Sequence, residues 1–172
     1  MNKNPYLKEI ENNIPRILSM YDNDSTSKSH GYGDRYHWSW NLIDFNNGTF
    51  QGVVNGLSIL LTEDLWPYKF NHREFIQRIY IIGMATEKII NKDGSLSEAF
   101  PDEGSYCVTA LVSFDMLCAY EKIKIYFTPE QKKNWLNIIG KMINYLINKD
   151  EEHAFITNHL ATASAALLRW SN

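Results

Sequence analysis

Hydrophobic and polar positions divide the chain into helical stretches of two alternating kinds. Residues 5–21, 72–91 and 129–148 are amphipathic. In the first, Leu7, Ile10, Ile14, Ile17 and Leu18 form an apolar stripe opposite Lys8, Glu9, Glu11 and Asn12. In the last, Trp135, Ile138, Ile139, Met142 and Leu146 oppose Lys132, Lys133, Asn137, Lys141 and Asn144. Residues 49–61, 104–121 and 159–170 are apolar on nearly every side, the pattern of a helix buried all round. Local signals refine this. Pro15 predicts a kink or split in the first helix. Gly52 and Gly56, four apart, predict a close backbone approach in the second. Thr128-Pro129 reads as a cap and first residue of the helix over 129–148.

Amphipathic and buried helices in strict alternation describe outer and inner members of helical hairpins. The fold class is therefore all-α, with α/α-toroid-like hairpins, three of them, forming an incomplete ring. The 172 residues suit one helical domain rather than two. They read as the N-terminal part of a longer toroid, or as a chain that self-associates through its last helix, because one edge of that helix would otherwise be bare. The three outer-to-inner loops, within 22–47, 92–103 and 149–158, must share one end. The connectors at Trp66-Pro67 and 124–128 are shorter and plainer. A single loop-bearing end is where function is expected. Three inner helices also begin there, and their N-termini favour anions.

Composition narrows the partners. A formal net charge of -3 with no basic stripe argues against nucleic acid. No apolar run reaches the length of a membrane span, and the N-terminus has no signal-peptide pattern, so the expected address is cytoplasmic. Cys107 and Cys118, eleven residues apart on one helix, stand about 16 Å from each other and cannot pair. His153 and His159 with Glu151 and Glu152 fit no standard metal spacing. No metal or cofactor is implied.

The chemistry-bearing residues sit in the three loops. Trp38 and Trp40 would stack on sugar rings or anchor the first loop. Asp93-Gly94 is a turn. Asp102 is expected to cap the helix over 104–121, with Glu103 adding a favourable first-turn charge. Glu98 has no such task and is the first acid to test. Asp115, the one charge in an apolar helix, is expected to pair with an Arg from a neighbouring helix. Asn158 reads as an N-cap or a ligand contact, and His159 as a first-turn residue or a base.

The stretches GYGDRYHWSWNLIDFNNGTFQ, KDGSLSEAFPDEGSYCVTAL and ITNHLATASAALL resemble α/α-toroid proteins of bacterial surface-polysaccharide loci. More distantly they resemble toroid polysaccharide lyases of the alginate lyase and heparinase-like type. That resemblance implies an acidic polysaccharide as partner and lyase-type β-elimination as reaction. Asn158 would balance the uronate carboxylate and His159 would take the C5 proton, with Tyr106 and Arg35 for the leaving oxygen. Trp38, Trp40, Asp34, Asp93, Asp102 and Glu103 would contact substrate. Two other readings compete. One is a glycoside hydrolase using Glu98 with Asp102 or Glu103; the other is a non-catalytic glycan- or partner-binding protein. Terpenoid cyclase chemistry would need an Asp-rich or zinc site that the sequence lacks.

Overall fold

A computed structural model describes residues 4–65, 71–152 and 156–172. The Trp66-Pro67 connector and His153 lie outside the described residues. The described chain is all-α, and its only β-type pairings are isolated bridges of Leu96 with Ile90 and Ser105.

Helix α1, Pro5–Ser19, opens on Asn4, whose side chain accepts from the Tyr6 amide, with Pro5 in the first turn. Pro15 does not split it. The helix runs on through the proline, which lies on its exposed side. A short helix α2, Arg35–Trp38, stands inside the first loop, and a 3-10 turn, Gly48–Gly52, leads into α3, Val53–Thr62. Helix α4, His72–Ala85, ends earlier than its pattern predicts and passes into a 3-10 turn, Thr86–Lys88. Helix α5, Tyr106–Ile123, is followed by α6, Pro129–Asn148, which starts with a full capping box between Thr128 and Gln131. Helix α7 is Thr157–Ser171.

Helix α5 lies between α3 and α7, with α6 behind it; α4 backs α3 and touches α6. The three stretches read as inner helices thus lie side by side, with α4 and α6 packed against them. Burial follows suit. Ala110, Val112, Met116 and Ala119 of α5 are fully buried with Trp135, Ile138, Ile139 and Met142 of α6 and Ile79 of α4. Trp135 donates its indole N–H to the Met116 carbonyl at 3.1 Å and lies so close to Gly83 that a Cβ there would meet the ring at 2.2 Å.

Three expectations need correction. Helix α7 is not buried all round: Ala163 and Ala166 are its fully buried residues, and Leu168 is 66% exposed. Its alanines gave an apolar pattern, yet small side chains gain little from burial and tolerate water. Gly56 has no atom within 4 Å of a built Cβ; only Gly52 of that pair is crowded, by Asp115 at 2.6 Å. Asp115 has Asn55 rather than an Arg as partner, accepting from its amide at 2.9 Å. Burial pushes the Asp115 carboxyl up, and the Asn55 hydrogen bond only partly opposes this.

Candidate functional site

The first loop is held by buried polar side chains. Asp34, 2% exposed, caps α2 by accepting from the Tyr36 and His37 amides and reaches across to the Asn47 amide at 3.2 Å. Gln51, equally buried, accepts from the Gly33 amide and donates to the carbonyls of Gly31 and Ile82, which fastens the loop to α4. Trp38 donates to the Met20 carbonyl at 2.9 Å, and Arg35 donates to the Ser19 carbonyl at 3.2 Å. The Arg35 guanidinium lies over the rings of Trp38 and Trp40, 5.9 and 5.3 Å from their centroids. Arg35 and Trp38 therefore tie α2 to the C-terminal end of α1 and Asp34 ties it to Asn47, while Trp40 remains half exposed.

The second loop turns at Asp93-Gly94. Gly94 has φ of 97°, and a Cβ there would lie 2.4 Å from the Lys141 carbonyl oxygen, so the turn sits directly on α6. Asp93 accepts from the amide and hydroxyl of Ser95. Burial raises its carboxyl, but these bonds and Lys149 outweigh it and hold the group below the usual carboxylate range. The first and second loops meet where the Gly48 amide donates to the Ser97 carbonyl at 2.9 Å.

The cap of α5 is not Asp102. Ser105 accepts from the Val108 amide and donates to Glu98 at 3.0 Å. Asp102 is exposed and left-handed, with φ of 57°. Glu103 reaches back to the amides of Ala99 and Phe100, bracing the loop rather than the helix.

The third loop leaves α6 in extended backbone, with φ of -126° and ψ of 163° at Lys149. Asp150 and Glu152 line a cleft of about 200 Å³ together with Asp93, Tyr106, Tyr145 and Lys149. Glu151 turns away, its side chain 2% exposed, and its carboxylate meets His159 Nδ1 at 2.6 Å. Asn158 is not the cap of α7: Ile156 holds that position without a side-chain bond, and Asn158 stands exposed one residue inside the helix. The other two termini at this end are capped by their own side chains, Asn47 for the 3-10 turn before α3 and Ser105 for α5. The expected anion field is thereby concentrated on α7.

The second and third loops converge. The Tyr106 phenol is pushed up by burial and by Asp150 and Glu151; the Tyr145 phenol is pushed up by burial and by Asp93, Glu152 and Glu151. Both act as neutral hydrogen-bonding groups, not as bases. Burial, Glu98 and Glu151 also push up the Cys107 thiol, which disfavours a thiolate nucleophile. Glu98, Tyr106 and His159 are thus gathered around the start of α5, with Asn158 at the start of α7, whereas Arg35 and Trp38, both in α2, are fastened to the C-terminal end of α1. The sequence singled out neither Tyr145 nor Lys149 and Asp150, and it weighed Glu151 only as a metal ligand. A phenol inside α6's apolar face, and a charged run leading into Asn158-His159, were the signals available.

No protein-family model, curated protein or solved structure matches this chain.

Proposed function

We propose that this chain is a carbohydrate-active module of α/α-toroid type, which binds or acts on an acidic polysaccharide at the end carrying the three loops. The observation that supports this reading is the buried Glu151 carboxylate on His159 Nδ1 at 2.6 Å, beside a tyrosine-lined cleft. The carboxylate orients the ring and leaves Nε2 to accept a proton. Asn158, exposed at the uncapped start of α7, is placed to meet the substrate carboxylate, and a neutral Tyr106 can donate to a leaving oxygen.

Lyase-type elimination is the reaction these groups fit best. The hydrolase alternative is weaker, because Glu103 is engaged with two loop amides and Asp102 lies outside any described hydrogen bond to Glu98. Incubation with uronate-containing polysaccharides separates the readings. An unsaturated product absorbing in the ultraviolet supports elimination, and a saturated reducing end supports hydrolysis. Saturable binding without product would leave a binding module.

A further inference from the structure

We propose that the cleft between Tyr106, Tyr145, Asp150 and Glu152 is a subsite for a protonated amino group, so that the polysaccharide carries unacylated amino sugars next to its acidic ones. The inference rests on the glycan reading above and names the second sugar class which that reading leaves open.

Charge is the first support. Among the described lining residues Lys149 is the one cation; it lies near Asp93 and offsets it, which leaves Asp150 and Glu152 without a described cation beside them and exposed to whatever enters the cleft. A uniformly anionic glycan would be repelled there, whereas an ammonium group would be drawn in. The second support is independent of those acids. Tyr106 is 7% exposed, it lines the cleft, and its hydroxyl has no hydrogen-bond partner among the described residues. The ring is buried while the hydroxyl oxygen keeps access to the cleft, where a ligand atom can take the place of water as its partner. The neighbouring Tyr145 hydroxyl already donates to the Gly104 carbonyl at 3.0 Å, so its remaining lone pair faces a newcomer as an acceptor. Acceptors therefore dominate the lining, and an ammonium group brings three donors. At about 200 Å³ the cleft is smaller than a pocket for a drug-sized ligand, and it suits one sugar residue or its substituent.

The geometry also explains why two sugar types would be read together. Asp150 and Glu152 face the cleft, and Glu151 between them holds His159. Three consecutive residues thereby place the amine subsite next to the candidate base.

Calorimetric titration tests this with three probes at a pH where amines are protonated: chitotetraose with free amines, its fully N-acetylated form, and putrescine. The free-amine sugar should bind about tenfold tighter than the acetylated one, the scale of one charge-assisted hydrogen bond. Asp150→Asn with Glu152→Gln, both at exposed positions, should abolish that preference, and Tyr106→Phe should reduce it. Equal binding of the two sugars, or a preference that survives the double variant, would overturn the amine subsite and leave the glycan reading intact. Putrescine binding that the double variant removes, with no sugar bound, would keep a cation subsite and overturn its assignment to amino sugars. No binding by any probe overturns the amine subsite, whereas the glycan reading stands or falls on the uronate-containing polysaccharides above.

Discussion

At position 151 a carboxylate is almost wholly out of water, a placement that is tolerated only when the charge is hydrogen-bonded. His159 supplies one such bond. Glu151→Ala should therefore cost about 1–3 kcal/mol in urea unfolding, whereas Glu151→Gln, which keeps an acceptor oxygen, should cost less. Asp115 is the opposite case, a carboxyl raised by burial against a single amide. Its folded form holds a proton more tightly than its unfolded form does. The stability it contributes is present at acidic pH, below about 4, and is lost as pH rises through the raised value. Asp115→Asn should flatten that fall. Since Asn55 Oδ1 is buried without a partner among the described residues, the new amide can also donate to it. Urea midpoints from acidic to neutral pH should show the variant at least as stable as the parent at neutral pH; a clear loss there would contradict the assigned burial.

Among the elements, the start of α5 shows how far local pattern reading carries. An acidic pair before an apolar run predicts an Asp cap, but the cap is set by where the chain turns. Leu96, fully buried and bridged to Ser105, pulls the turn two residues beyond Glu103. Ser105→Ala should then cost about 1 kcal/mol, and Asp102→Gly should be neutral or stabilising by up to about 1 kcal/mol, since glycine accepts a left-handed φ. Thermal or chemical unfolding of the two variants checks the order. Helix α6 was legible almost to the residue, because Thr128-Pro129 and a sustained apolar stripe are both local signals. Helix α7 was legible in position but not in burial, since a run of alanines looks the same on an inner face and at an edge.

Across the molecule, the alternation of amphipathic and apolar stretches anticipated an all-helical chain with α5 between α3 and α7. It also implied that the loops before α5 and α7 share an end, as the approach of both Glu98 and Glu151 to Cys107 bears out. The interior of that end was not legible. Asp34 reaches Asn47, Gln51 reaches Ile82, and Glu151 reaches His159 through contacts that no periodicity encodes. The candidate site depends on those contacts. Its most direct test is an amide NMR titration with an oligosaccharide alternating uronate and unacylated amino sugar. Shifts confined to residues 91–106 and 149–160 are the predicted result. Shifts centred on the opposite end, near 124–128, or no shifts at saturating sugar, would contradict the account.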